Sequence, residues 1–120
     1  LDAIRDFTYV TDTCEGILQI NANNKFVGKV TNIGSGKGHS IKSIIKVIEN
    51  LYKFKIPIKI DKNRIRPKDS EVNKLICDNS KLIKNTNWKN KVDINQGVKS
   101  YIEWYRNNAL EIFKADKYNV

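Results

Sequence analysis

The sequence has no methionine, two prolines, two cysteines and one histidine. Cys14 and Cys77 stand alone, with no Cys-x-x-Cys and no paired histidine, so the spacing of a structural zinc site is missing. Each lies among apolar neighbours and is expected to be a small buried hydrophobe in a reduced compartment. A disulfide between them stays open but has no support in the pattern. His39, between Gly38 and Ser40, is expected to be a turn residue and not a base or metal ligand. No apolar run approaches the roughly 18 residues of a membrane span. The start, Leu1-Asp2-Ala3-Ile4-Arg5-Asp6, lacks the charged-then-apolar pattern of a signal peptide. A cytoplasmic location without a membrane is the expectation. A start without Met, close to a candidate strand, points to a fragment or a processed chain.

What is present is ordinary in bulk. At 120 residues the chain makes one domain at most, and 40% hydrophobic with 29% charged residues suits a globular protein. The net charge of +9 permits an anionic partner such as nucleic acid, a membrane surface or a phosphorylated small molecule. The lysines are scattered, without a dense cluster and without the aromatic interleaving of single-strand binders. They fit solvated faces better than a nucleic-acid groove. A small basic module for nucleic acid or an acidic protein is therefore the alternative reading and not the leading one.

Arginine is the scarce cation. There are four, at positions 5, 64, 66 and 106, and two of them share the stretch Asn63 to Val72. A guanidinium can grip a phosphate or carboxylate through two parallel hydrogen bonds, which an ammonium cannot. Pro67 fixes its own φ and pushes Arg66 toward an extended backbone. Asp69 or Ser70 then caps a helix start. The stretch reads as a stiff loop holding a fork-shaped cation beside a helix N-terminus, where an anion is welcome.

The remaining elements follow from period and punctuation. Arg5 to Val10 is predicted as a strand. Asp12 and Glu15 form a capping box for a helix to about Asn23, with Cys14, Ile17 and Leu18 on its apolar side. Phe26 to Ile33 is predicted as a second strand. Ile41, Ile44, Ile45, Ile48, Leu51 and Tyr52 make a helical stripe behind a Ser40 cap. Lys55 to Ile60 alternates as an edge strand carrying Pro57. Val72, Leu75 and Ile76 suggest a short apolar turn or helix. Asp78-Asn79-Ser80 caps a helix with Leu82 and Ile83, and Trp88 follows in a loop. Asp93 to Gln96 is a capping box for a last helix with Val98, Tyr101, Ile102 and Tyr105 on one face. That helix could continue through Leu110 and Phe113 into a frayed tail.

Gly34-Ser35-Gly36-Lys37-Gly38 joins a candidate strand to a helix, the setting of a nucleotide-binding turn, but its spacing fails. A dinucleotide fingerprint needs its third glycine at position 39, where His39 stands. A P-loop needs glycine at 31 and Ser or Thr at 38, where Thr31 and Gly38 stand. A tight turn before the Ser40 cap is the better reading.

Several phrases then occur in a meaningful order. They are Arg5-Asp6-Phe7-Thr8-Tyr9-Val10 with Asp12, Asn32-Ile33-Gly34-Ser35-Gly36, Arg66-Pro67 with Ser70-Glu71-Val72, Asp78-Asn79-Ser80-Lys81, Trp88, and Gly97 with Ile102-Glu103-Trp104-Tyr105. In this order the chain resembles the C-terminal part of the extended short-chain dehydrogenases/reductases, the NAD-dependent nucleotide-sugar epimerases and 4,6-dehydratases. The resemblance implies a small α/β substrate-binding part over residues 1–107, followed by a helical extension and tail over 108–120. Together with the element reading it predicts about four to five helices and three to four short strands. It further implies a separate N-terminal Rossmann domain holding NAD, a nucleotide-diphosphate sugar as substrate, and a homodimeric intact enzyme. Arg5 and Arg66 match arginines that grip the diphosphate or nucleoside side, and Glu71 matches a partner of a ribose hydroxyl. Asp6, Phe7 and Tyr9 are expected to shape the pocket or to pack.

The intact reaction implied is transient oxidation of the sugar at C4 by NAD, followed by loss of water or epimerisation and return of the hydride. The Ser-Glu-Val and Cys-Asp-Asn-Ser phrases lean toward a 4,6-dehydratase. The family's glycine fingerprint and Tyr-x-x-x-Lys are absent from these residues: positions 13, 56, 105 and 109, four beyond Tyr9, Tyr52, Tyr101 and Tyr105, hold Thr, Ile, Tyr and Ala. The expectation is a substrate-holding piece that does not bind NAD or turn over by itself. It should expose apolar surface where the rest of the enzyme would pack.

Overall fold

A strand of three residues, Ile4–Asp6 (β1), occupies the middle of a small sheet in the computed structural model, which describes residues 1–59 and 72–108. On one side β1 pairs antiparallel with Gly38–Ser40 (β2), setting Arg5 opposite His39. On the other it pairs parallel with Lys74–Leu75 (β3), setting Arg5 beside Leu75. The helices are Val10–Asn21 (α1), Ile41–Tyr52 (α2), Ser80–Asn85 (α3) and Ile94–Asn108 (α4), with a 3₁₀ turn at Asn24–Phe26. This is the α/β architecture expected, and the helix and strand numbers among the described residues lie at the lower end of the predicted range.

The helix caps were well marked. Ser40 Oγ accepts from Ser43 N at 3.1 Å and starts α2. Asp78 Oδ1 accepts from Ser80 N at 3.0 Å at the head of α3, and Asp93 Oδ1 accepts from Gln96 N at 2.9 Å at the head of α4. Each supplies an acceptor to an N–H that the helix leaves without an internal partner. The isoleucine stripe of α2 is half-buried and lies toward α4, where the Arg106 guanidinium sits 4.7 Å from the centre of the Tyr52 ring.

The core forms where α1, the 3₁₀ turn, α3 and the Trp88 loop meet. Phe26, Leu82 and Trp88 are buried there, with Ile20 and Ile33 packed against them. Trp88 Nε1 donates to the Asp12 carbonyl at 2.8 Å, and Asp12 Oδ2 accepts from Lys91 N and Val92 N, both at 2.9 Å. Asp12 is thus 3% exposed, a buried carboxylate whose hydrogen bonds offset its loss of water. Gly16, one turn on, lets the indole and Ile33 approach closely: a Cβ there would lie 2.9 Å from Ile33 Cγ2 and 3.2 Å from Trp88 Nε1.

These contacts correct several expectations. The helix α1 begins at Val10, so Asp12 lies within it and does not form a capping box with Glu15, which instead accepts from Gln19 Nε2. The inward face of α1 is Asp12, Gly16 and Ile20, because Trp88 needs an acceptor and room for its ring. Val10, Cys14, Ile17 and Leu18 therefore face outward and are exposed. Cys14 is not the buried hydrophobe expected, Cys77 is partly buried, and both are free thiols. Residues 26–33, with Val30 87% exposed and Ile33 packed inward, do not form the strand expected, and Phe26 ends the 3₁₀ turn. Among the described residues no strand lies beside them, and a strand exists only through a partner.

The described part of the Lys55 to Ile60 stretch is not a strand either; the Ile56 N–H goes to the Glu49 carboxylate at 3.1 Å. The Val72 to Ile76 stretch supplies β3 in place of a helical turn, and His39 lies in β2, not in a turn. Ile83 is exposed, whereas its neighbour Leu82 is fully buried. The extension of α4 beyond Asn108 lies outside the described residues.

Large apolar side chains in the open include Val10, Ile17, Leu18, Leu75 and Trp104, as expected of a part that packs on something else. Among the described residues no helix is long and apolar enough to cross a membrane. Gly16→Ala should lower unfolding free energy by about 1–3 kcal/mol through overpacking against Ile33 and Trp88. Denaturant titration with Trp88 fluorescence measures this, and an unchanged midpoint would contradict the packing described.

Candidate functional site

Strand β1 places Arg5 in a cleft of about 630 Å³. Its walls come from the strand and the residues just after it (Arg5, Asp6, Thr8), from residues 31–34 and from residues 75–78. Arg5 is half-buried, and its Nη1 donates to the Ile4 carbonyl at 2.8 Å, which holds the guanidinium near the strand. Arg64, Arg66 and Glu71 lie outside the described residues, so Arg5 is the one expected site residue that the structure places.

The walls are held together by the next residue. Asp6 Oδ1 accepts from Ser35 N at 3.0 Å, from the Ser35 hydroxyl, and more weakly from the Thr8 hydroxyl at 3.4 Å. Asp6 Oδ2 accepts from Gly36 N at 2.8 Å and from Cys77 N at 3.2 Å. The glycine-rich turn therefore wraps its amides around a carboxylate of the protein itself. Asn79 Nδ2 closes the same junction by donating to the Gly34 carbonyl at 2.8 Å. Gly34 has no room for a side chain, since a Cβ there would lie 2.3 Å from Cys77 Cβ.

Burial alone would raise the Asp6 carboxyl. The Ser35 hydroxyl and the amides of Gly36, Cys77 and Ser35 outweigh it and hold the group below the usual carboxylate range. Cys77 goes the other way: burial, then the negative charges of Asp6 and Asp78, push its thiol up. It stays protonated at neutral pH and is no nucleophile. Among the described residues no cluster of His, Cys, Asp and Glu could hold a metal ion. The described walls carry the Arg5 cation beside the polar side chains of Thr8, Thr31, Asn32 and Asp78 and the apolar Ile33, Leu75 and Ile76.

A dinucleotide does not fit the glycine-rich turn. The amides that would have to cradle a pyrophosphate are taken by Asp6, and the close approach at Gly34 serves Cys77. A second cleft of about 560 Å³ opens between α2, α4 and residues 7–10, lined by Phe7, Tyr9, Ile44, Ile48, Tyr101 and Ile102 among others. It is almost wholly apolar.

Sequence reasoning gave Asp6 only a pocket-shaping part, because its partners lie far along the chain. The spacing of the Gly34-Ser35-Gly36 turn was wrong for an external phosphate, and that was the available sign of an internal anion. The folded-state carboxyl of Asp6 is lowered, so its stabilisation is full above the unfolded-state value and is lost as pH falls through the folded one. Acid unfolding followed by circular dichroism should show this component, and Asp6→Asn should remove it. An acid transition identical in the variant would contradict the geometry.

The sequence profile of the family described as GDP-mannose 4,6 dehydratase matches residues 1–101. A UDP-glucuronate 4-epimerase of Thermodesulfobacterium geofontis is 32% identical over 115 residues, 94% of this chain and 33% of that protein. Among solved structures, UDP-glucose 4-epimerase from Bifidobacterium longum, in complex with NAD+ and UDP, is 27% identical with a TM-score of 0.71. The alignment covers 88% of this chain and 31% of that one. dTDP-glucose 4,6-dehydratase from Bacillus anthracis, in complex with NAD, is 25% identical with a TM-score of 0.67, over 88% of this chain and 32% of that one. The chain spans about a third of the length of these relatives. By the profile that matches it nearly end to end, this chain belongs to the GDP-mannose 4,6 dehydratase family, among the NAD-dependent nucleotide-sugar epimerases and dehydratases.

Proposed function

We propose that these residues are the nucleotide-sugar-holding part of an NAD-dependent nucleotide-diphosphate-sugar 4,6-dehydratase or 4-epimerase. The observation that carries the reading is Arg5, fixed on the central strand and lining a cleft of about 630 Å³ with mixed polar and apolar walls, in a chain of this family. Arg5 and Arg66 grip the diphosphate or the nucleoside side of the substrate, and Glu71 takes a ribose hydroxyl. A charge-assisted hydrogen bond of this kind contributes about 1.5–3 kcal/mol. The relatives solved with UDP and with NAD support the ligand class.

The part these residues play is binding and orientation. The hydride carrier and the proton-transfer groups are assigned to residues other than these 120, in an intact enzyme that works as a cytoplasmic homodimer. No step through NAD is assigned to the glycine-rich turn, whose amides are engaged by Asp6.

In the full-length gene product, Arg5→Ala and Arg66→Ala should each weaken the binding of UDP-, dTDP- or GDP-sugar about 10- to 150-fold and leave NAD affinity within about twofold. Calorimetric titration of both ligands measures this, and equal losses for sugar nucleotide and NAD would contradict the assignment. The 120-residue chain alone, given NAD and a nucleotide sugar, should yield no product by chromatography; turnover would contradict the division of labour.

A further inference from the structure

Resting on the nucleotide-sugar reading of the cleft, we propose that Asp6 is a positioning residue for ligand binding: its carboxylate sets the Arg5 cleft by tying all three of its walls to one point. Strand β1 is three residues long and its neighbours three and two, so ladder hydrogen bonds alone define the position of Arg5 poorly. The missing definition comes from the adjacent carboxylate. Oδ1 holds Ser35, at the end of the wall formed by residues 31–34. Oδ2 holds Gly36 and Cys77, the latter in the wall formed by residues 75–78. Thr8, a further lining residue, reaches the same Oδ1. Asp6 therefore fixes the width of the cleft as well as the strand that bears the cation.

Both oxygens are engaged, and every partner is a donor. An amide in place of the carboxylate must turn its NH₂ toward one set of donors, Ser35 with Thr8 or Gly36 with Cys77, whichever way it is flipped. One wall is then released while size and packing are conserved. Binding geometry is sensitive to such a release: displacements of about 1 Å at a site lower efficiency up to about a hundredfold.

The experiment compares Asp6→Asn with Trp88→Phe, which loses the indole hydrogen bond to Asp12 and destabilises the fold away from the cleft. Both variants of the full-length gene product are titrated with UDP by calorimetry at a temperature where circular dichroism shows each to be folded. Asp6→Asn is expected to raise the UDP dissociation constant about tenfold or more, with Trp88→Phe within about twofold of wild type at a similar loss of melting temperature. An unchanged dissociation constant in Asp6→Asn, or an equal rise in both variants, would overturn the positioning role. If Asp6→Asn does not fold, Ser35→Ala serves: losing the hydroxyl bond should raise the constant about threefold, and no rise overturns the proposal. Arg5→Ala is run beside them. If it binds UDP like wild type, the nucleotide reading of the cleft has failed. If Arg5→Ala fails to bind while Asp6→Asn binds normally, that reading stands and the positioning role alone is lost.

Discussion

One carboxylate accepting hydrogen bonds from distant parts of the chain is the constraint on which the rest depends. Asp6 lies on a strand too short to hold its place by backbone pairing, and 71 residues separate it from Cys77. Closing such a loop is opposed by chain entropy, and the stretch from Leu75 to Cys77 has little apolar burial to offset it: Leu75 is exposed and Ile76 and Cys77 only partly covered. Charge-assisted bonds to the amides of Ser35, Gly36 and Cys77 supply what the core does not. The sheet and the cleft beside it follow from that junction.

A second carboxylate does the same for the other half of the molecule. Asp12 joins α1 to the loop before α4 through the amides of Lys91 and Val92, while its carbonyl receives Trp88. Between these two points the apolar core is small, with Phe26, Leu82 and Trp88 as its buried members among the described residues. Much apolar surface stays open, including the outward face of α1. The chain spans about a third of its relatives' length.

The legible features were the local ones. Caps at Ser40, Asp78 and Asp93 act within a few residues, so type and spacing sufficed. The helical stripe of α2 was as plain, because its period is carried by consecutive residues. β1 was legible in part: Arg5 and Asp6 open the Arg5 to Val10 stretch read as a strand, which ends at Asp6. β2 and β3 were not, because each is two or three residues long and exists through neighbours distant in sequence. The burial of Asp12 depends on Trp88, 76 residues away, which no local pattern announces. Of the site, the family phrases name Arg5, Arg66 and Glu71 as substrate-binding residues, and of these Arg5 lies among the described residues, where it lines the cleft. The role of the glycine turn was half legible: its spacing excluded an outside phosphate but did not reveal the inside anion.

The most direct measurement is hydrogen–deuterium exchange on the full-length gene product with and without UDP, resolved over peptides covering residues 4–8, 31–37 and 75–79. The account predicts slow exchange at the Ser35, Gly36 and Cys77 amides without ligand, since Asp6 holds them, and further slowing across all three segments when UDP binds. Fast exchange at those amides without ligand, or UDP protection confined to other segments, would contradict the claim that Asp6 builds the cleft and that the nucleotide enters it.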